Sequence, residues 1–441
     1  MNPMKNVFTL ALLALMAIIL SGCLEESCEE NRLVQGFTPI TVTPDVWRAS
    51  SFFCGTPQPV CEGTSFYVYE QYLFMMEGTE GLHIFDNSDS NNPVPVTFME
   101  APGGQGLSVR NDILYMNQYT DLVAFDLSDP TRPELVGRTK DVFEPYSVFA
   151  QVLPGNDGFV VDWEPNNERR VIDCSSSNFN QRVFWEQDIL FASSSADLNL
   201  SANRSSNAGN FAGGAPETVG TGGSLARFTI ANSTLYAVDD SNLKAFDLSD
   251  PNQPEYVQNI NLGWGIETIF PAGNELYIGS QTGMHIFSIA DPLNPERLST
   301  FEHVLSCDPV VVSGNLAYVT LWGGRDCGSV GDQLEIIDVS DPRNPTSLQV
   351  TPMSSSHGLG VAEGKLFLCS QWEGFKVFDL NENGLLGEEL DHATGINARD
   401  VIVLPQDNDL IVLGYFQDGI QQYDYADDGK LTETSRITVC D

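Results

Sequence analysis

The segment Leu334-Glu-Ile-Ile-Asp-Val-Ser-Asp-Pro-Arg-Asn-Pro345 decides the fold. Leucine and isoleucine favour a strand in its first half, whereas Asp, Ser and Pro stop the strand and begin a turn in its second half. Related segments, each with an apolar core that ends in Asp or Ser, recur at residues 82–86, 122–126, 169–173, 243–247, 284–288, 334–338, 375–379 and 420–424. Their spacings of 40, 47, 74, 41, 50, 41 and 45 residues are typical of a β-propeller with one long interruption.

Each repeat can be divided into four short strands, A to D. In the unit around Phe246 these are residues 226–230, 234–238, 243–248 and 255–260. Small polar turns join A to B, and the Asp-Leu-Ser-Asp-Pro type of turn joins C to D. In a propeller the A–B and C–D loops open on one face, called here the AB face. The B–C and D–A loops open on the other, the BC face.

These residues resemble the LVIVD repeat of bacterial β-propellers, and the resemblance covers most of residues 64–440. It implies an all-β chain of four-stranded blades and brings no established biochemical activity. Eight units favour eight blades. Seven is the alternative if the unit around Ile172, which lacks the Ser-Asp-Pro turn, is not a blade.

Charge and composition restrict the partners. The 441 residues include 60 Asp and Glu against 21 Lys and Arg, a formal charge of −39, yet 42% of residues are hydrophobic. The chain is therefore expected to be folded and acidic. Such a surface repels phosphate backbones, so neither nucleic acid nor anionic lipid is an expected partner.

The first residues indicate export. Lys5 precedes an apolar run at residues 7–20, which is too short for a comfortable membrane span. The run ends in Leu20-Ser-Gly-Cys23, which resembles the lipobox of bacterial lipoproteins. That resemblance implies a signal peptide at 1–22, lipid such as palmitate on Cys23, and, because Leu24 follows, the outer membrane or cell surface. The remaining chain divides into a tether and N-terminal segment at 23–63 and a propeller at 64–441, with an insertion at 188–223; membrane contact is expected through the lipid alone.

Cysteines in an exported chain are expected to form disulfides, and eight remain after Cys23. Cys307 lies in a D–A loop and Cys327 in the B–C insertion that follows, so both should lie on one face and pair. Cys54 and Cys61 are a local candidate pair. The pairing of the other four stays open: Cys28, Cys174, Cys369 and Cys440.

Both long insertions, 188–223 and 322–333, fall on the BC face, which we therefore expect to be the binding face. The residues just before each A strand should gather around the central channel and form an aromatic and polar ring. These candidate binding residues are Gln105, Tyr146, Trp264, Asp308, His357 and Asn397.

Motifs for catalysis and cofactors are sparse. Neither His-Glu-x-x-His nor Gly-x-Ser-x-Gly occurs, and no glycine-rich phosphate loop is present. No cofactor or metal is expected. The acidic segments 86–89 and 407–409 are the candidate sites for a structural calcium ion, but Asp and Asn in turns more often bond to local amides.

Two functions from different classes follow. The first is a non-enzymatic, lipid-anchored module that binds an envelope protein or glycan. The alternative is a propeller hydrolase or lyase, in which acids and His357 at the channel mouth perform acid/base chemistry. The fold does not exclude the alternative, because propellers also host enzymes.

Overall fold

The computed structural model describes residues 29–49, 52–78, 80–143, 159–173, 219–303, 309–323, 331–405, 409–414 and 418–440. The chain divides into two units, residues 1–44 with 151–198 and residues 45–150 with 199–441. Within the described ranges no helix is both long and apolar enough to span a bilayer.

The described residues form one short helix, α1 (Pro44–Ala49), and strands that are numbered here in chain order. The first ten are β1 (Glu29–Val42), β2 (Phe53–Gly55), β3 (Gly63–Tyr69), β4 (Tyr72–Glu77), β5 (Gly81–Asp86), β6 (Val94–Glu100), β7 (Leu107–Arg110), β8 (Ile113–Gln118), β9 (Asp121–Asp126) and β10 (Glu134–Thr139). The next ten are β11 (Phe159–Asp173), β12 (Thr221–Gly222), β13 (Phe228–Ala231), β14 (Thr234–Val238), β15 (Asn242–Asp247), β16 (Glu255–Asn261), β17 (Ile266–Ala272), β18 (Glu275–Ser280), β19 (Gly283–Ser288) and β20 (Glu296–Glu302). The last twelve are β21 (Val310–Ser313), β22 (Leu316–Leu321), β23 (Gln333–Asp338), β24 (Thr346–Pro352), β25 (Ser356–Ala362), β26 (Lys365–Ser370), β27 (Gly374–Leu380), β28 (Leu386–Ala393), β29 (Ala398–Leu404), β30 (Asp409–Gly414), β31 (Ile420–Tyr425) and β32 (Leu431–Ile437).

The second unit is a β-propeller. Within the described ranges its strands form seven antiparallel meanders of four, β3–β6, β7–β10, β13–β16, β17–β20, β21–β24, β25–β28 and β29–β32, which are blades 1 to 7. The A strands of successive blades contact one another and surround the axis, whereas the D strands are outermost. Each blade takes its four strands from one continuous stretch of chain.

The expectation of eight blades is wrong, and the alternative of seven is the count in the described structure. The repeat copy at 169–173 lies in β11, which pairs with β1 along its length in a two-stranded antiparallel ribbon of the first unit. The copies at 375–379 and 420–424 also lack the Ser-Asp-Pro turn and still form blades 6 and 7, so the difference lies in the pairing of β11 with β1. The segment 23–63, expected as a tether, contains β1, α1 and β2; β2 pairs with the outer strand β6 of blade 1.

The repeat packs because its fourth residue is buried in every blade. These residues are Phe85, Phe125, Phe246, Phe287, Ile337, Phe378 and Tyr423, each no more than 9% exposed. They belong to apolar clusters that bridge neighbouring blades. Tyrosines of the B strands add hydrogen bonds between blades: the Tyr236 hydroxyl donates to the Pro292 carbonyl of the next blade over 2.7 Å.

The C–D turns confirm the local reading of the Asp-x-Ser-Asp-Pro motif. Oδ1 of Asp126 accepts the Ser128 amide at 2.8 Å, and Oδ1 of Asp338 accepts the Ser340 amide at 2.9 Å. Hydrogen bonds from the serine hydroxyl and amide lower the pKa of both carboxyls. In the segment weighed for calcium, Asp86 accepts the Ser88 amide in the same way.

A disulfide between Cys61 and Cys440 closes the ring. It joins the chain just before β3 to the chain just after β32, with the two Cα atoms 4.8 Å apart. Val60 and Val439 form a parallel bridge beside it, and the Cys440 amide donates to the Val60 carbonyl over 2.6 Å. The covalent bond therefore joins blade 1 to blade 7, which exchange no strand with each other in the described structure.

The local pairing of Cys54 with Cys61 is wrong. Cys54 has a free thiol and pairs with Met99 on the outer side of blade 1, whereas Cys61 leads into the inner strand β3. The width of the blade separates the two cysteines. Cys369 is buried in a blade core, and the predicted pair Cys307–Cys327 lies outside the described residues.

Removing the ring-closing disulfide should destabilise the propeller. For Cys61→Ser/Cys440→Ser we expect a loss of about 2–4 kcal/mol in the free energy of unfolding, because the bond limits the unfolded chain over a separation of 379 residues. Urea unfolding under non-reducing conditions measures this. Cys54→Ser is the matched control and should change stability far less. Recovery of a Cys54–Cys61 peptide in a non-reducing peptide map would contradict the assignment.

Candidate functional site

The structure places four of the six predicted binding residues at the beginnings of A strands. Gln105 and Trp264 lie two residues before β7 and β17, and Asn397 lies one residue before β29. His357 is the second residue of β25. Tyr146 and Asp308 lie outside the described residues.

These residues have different surroundings. Asn117 Oδ1 accepts the Gln105 amide at 2.8 Å, so that loop is bound to its own blade. Asn397 donates from its amide and its side chain to Asp418. Trp264, in contrast, is 61% exposed. Only some of the proposed ring is therefore presented to solvent.

A polar cluster of the BC face lies where blade 5 meets blade 6. Trp322 follows β22, and its ring lies 4.4 Å from the imidazole of His357. Asp332 joins the two loops, because one carboxylate oxygen accepts the Gly323 amide and the other the Ser355 amide. The Trp322–His357 pair is thus held from both sides.

His357 is a neutral, buried group. Burial, helped by the nearby Arg399 guanidinium, lowers the pKa of His357 to about 3. The side chain is 3% exposed. An imidazole with this pKa has no proton to give near neutral pH, so His357 suits a structural or hydrogen-bonding role better than general acid catalysis.

Exposed indoles distinguish the BC face. Trp264 lies in the D–A loop before blade 4, beside Gly265 with φ of +73°, and Trp372 lies in the B–C loop of blade 6. Trp372 is 67% exposed, and the Gln371 amide, which donates to the Ser355 carbonyl, fixes its loop. Trp372 is not among the residues predicted from the sequence. The signal for it is its position in a B–C loop, which the repeat assigns to the BC face.

Helix α1 also lies on the BC face, at blade 2. Arg48 donates from Nε and Nη2 to the two carboxylate oxygens of Asp121, at 2.8 and 2.6 Å, and Arg138 donates to the same carboxylate. Burial alone would raise the pKa of Asp121, but these hydrogen bonds lower it overall. Trp47 packs against Tyr119 with ring centroids 5.2 Å apart. The start of the propeller chain is therefore fixed to this face.

A strap of chain, residues 219–226, crosses the central channel. Its strand β12 pairs antiparallel with β3 of blade 1, and the Gly220 amide donates to the Val109 carbonyl of blade 2. The Ala226 carbonyl accepts the Ile269 amide of blade 4, and Ser224 Oγ accepts the Leu359 amide of blade 6. The end of the predicted BC-face insertion thus lies inside the channel instead.

Asp400 of blade 7 anchors the strap. It is fully buried, and its Oδ1 accepts the Ser224 amide at 3.0 Å and the Ser224 hydroxyl at 2.8 Å. A Cβ atom at Gly223 would collide with Oδ2 of this carboxylate, so a larger residue there would displace the Asp400 side chain. The carboxylate is committed to holding the strap.

On the AB-face side of the strap lies a cavity of about 1130 Å³. Val219, Thr221 and Ser224 of the strap line it, together with the ends of A strands in blades 1, 4, 5, 6 and 7. Four of its wall residues have the same register, two residues before the A–B turn: Val68, Val312, Val361 and Val403.

Within the described ranges, no group of three or more His, Cys, Asp or Glu side chains is arranged to hold an ion. Asp407 and Asn408 of the second segment weighed for calcium lie outside these ranges.

The model of the LVIVD repeat family matches residues 104–141 and 306–349, which correspond to blades 2 and 5. The chain therefore contains LVIVD repeats within a β-propeller. No match is found among curated proteins.

Solved structures share the fold at low identity. The periplasmic gluconolactonase of Pseudomonas aeruginosa is 9% identical, with a TM-score of 0.53 over 85% of this chain and 96% of that one. A putative 6-phosphogluconolactonase from Bacteroides fragilis is 13% identical, with a TM-score of 0.54 over 86% and 97%. One from Bacteroides uniformis is 12% identical, with a TM-score of 0.50 over 86% and 98%. At these identities the likeness shows the fold alone.

Neutralising the strap anchor should loosen the channel. For Asp400→Asn we expect a loss of about 1–3 kcal/mol in the free energy of unfolding. One carboxylate oxygen is replaced by an NH₂ group, which cannot accept the hydrogen bonds that Ser224 and Leu225 donate. Hydrogen exchange should also accelerate in peptides covering residues 219–226. Asp424→Asn, which changes an exposed carboxylate, is the matched control. Unchanged exchange of the strap in Asp400→Asn would contradict the anchoring role.

The buried neutral imidazole of His357 predicts a pH dependence of stability. Because its folded pKa of about 3 lies below the ordinary value of 6.5, the unfolded chain binds a proton first, and stability falls as pH decreases through this window. In this window the free energy of unfolding falls by up to about 1.4 kcal/mol for each pH unit because of this one group. Urea unfolding from pH 7.5 to 4.5 should show a shallower decline for His357→Gln. Parallel curves for the two proteins would contradict this.

Proposed function

We propose that this chain is an exported, lipid-anchored propeller that binds a protein or glycan of the cell envelope through its BC face, without catalysing a reaction. The observation that carries the proposal is the pair of exposed indoles, Trp264 and Trp372, on that face. Aromatic side chains with a large apolar ring and one N–H donor are enriched at recognition surfaces.

The surroundings of the indoles support binding. Asp332 ties together the loops beside Trp372, so the aromatic groups project from a preorganised frame. Preorganisation reduces the entropy lost on association. Helix α1 is fixed to the same face, because Arg48 donates to Asp121 of blade 2.

The residue considered for acid/base chemistry, His357, and the buried carboxylate of Asp400 in the channel serve other roles. His357 is buried and neutral, and Asp400 is occupied by the strap. Lactone hydrolysis, the activity in the names of the fold relatives, does not follow from a shared fold, because function depends on the site.

Binding should depend on the two indoles. The Cys23→Ser chain, which the proposal expects to leave the membrane fraction, is purified and tested against immobilised envelope glycans and by photo-cross-linking in cells. We expect saturable binding of one component, weakened at least about tenfold by Trp264→Ala/Trp372→Ala. Leu348→Ala/Val350→Ala, which removes exposed apolar groups from the outer strand β24, is the control.

Two results would overturn the proposal. One is equal binding by the indole variant and the control variant, which would place recognition elsewhere. The other is hydrolysis of gluconolactone or 6-phosphogluconolactone by the purified chain, which would replace the non-enzymatic assignment with the alternative.

A further inference from the structure

The channel cavity on the AB face is separate from the binding face proposed above. The strap lines one part of it, and the ends of inner strands of five blades line the rest. Its volume of about 1130 Å³ is at the upper end of ligand sites in proteins. It is therefore a concave space of a size that suits ligand binding.

The walls combine apolar side chains with strand edges. Val68 and Val312 are 8% and 6% exposed, and Val361 and Val403 are half-buried at the same register of their blades. The inner strands β21 and β29 each have a neighbouring strand on one side only within the described structure. Such edges present N–H and C=O groups that an added extended chain can pair with.

The strap itself shows that an extended chain fits in the channel. Its strand β12 pairs antiparallel with β3, with Thr221 opposite Val68 and Gly222 opposite Tyr67. The pairing adds a strand to the inner edge of blade 1. Residues of β21 and β29 line the same cavity, and each of these strands also has only one neighbouring strand in the described structure.

The charge of the cavity has one sign. Among the described residues that line it, the charged ones are Glu70 and Glu275, at the A–B turns of blades 1 and 4. The C–D turns of the same face add aspartates such as Asp247 and Asp338. Burial raises the pKa of the Glu275 carboxyl, so a bound cation would stabilise its ionised form.

We propose that this cavity binds a short extended peptide segment that carries lysine or arginine side chains between apolar ones. Its backbone pairs with an inner strand edge, its apolar side chains contact the ring of valines, and its cations reach Glu70 and Glu275. The acidic AB face attracts such a segment from solution.

The test uses a fluorescein-labelled hexapeptide of alternating lysine and valine, with anisotropy measured against the Cys23→Ser chain. We expect saturable binding that weakens about threefold to tenfold in Glu275→Gln and in Glu70→Gln. Val312→Trp, which fills the cavity, should abolish binding. Glu382→Gln removes the same charge from an exposed turn of the AB face outside the cavity and should leave the affinity within about twofold.

Three further comparisons identify what is bound. A glutamate–valine hexapeptide should not bind, and a lysine–valine peptide with N-methylated backbone should bind at least about tenfold less tightly, because strand pairing needs its N–H groups. Spermidine should compete poorly. Equal loss of affinity in Glu382→Gln and Glu275→Gln, undiminished binding of the N-methylated peptide, or full competition by spermidine would each overturn the proposal.

Discussion

The arrangement of this propeller depends on one constraint, which is that every inner strand has an edge facing the axis. Backbone N–H and C=O groups buried without partners are costly, so these edges need hydrogen bonds from water or from protein. The strap at 219–226 provides them to blades 1, 2, 4 and 6 and is held by Asp400 of blade 7. Eight residues thereby connect five blades that are distant in sequence.

The strap also separates the two faces of the channel. On one side lies the BC face with its exposed indoles and the Trp322–His357 pair; on the other lies the acidic, valine-lined cavity. In a propeller with an open channel, the two faces would be connected through the centre. Here the chain has two surfaces of different chemistry, one aromatic and one acidic, on one rigid scaffold.

The ring closes without a strand shared between blades 1 and 7 in the described structure. Each blade is a continuous meander, so blades 1 and 7 meet through apolar packing, a parallel bridge and the Cys61–Cys440 disulfide. A covalent bond of this kind is typical of proteins in an oxidising compartment. The likeness to gluconolactonases concerns this scaffold, and the sites on it differ in what they can do.

The features that could be predicted from the sequence are those that depend on residues close together in the chain. The strands, the Asp-x-Ser-Asp-Pro turns, the faces of the loops and the place of Trp264 were predictable, because each depends on residues within one repeat of about 45. The weak copy around Ile172 could not be separated from a blade by its local pattern, since its partner β1 lies over a hundred residues away. The Cys61–Cys440 bond, the strap on Asp400 and the cavity were decided only by the tertiary structure. The strap and the disulfide join residues that are 176 and 379 positions apart. Local sequence preferences do not show which distant groups come together when the ring closes.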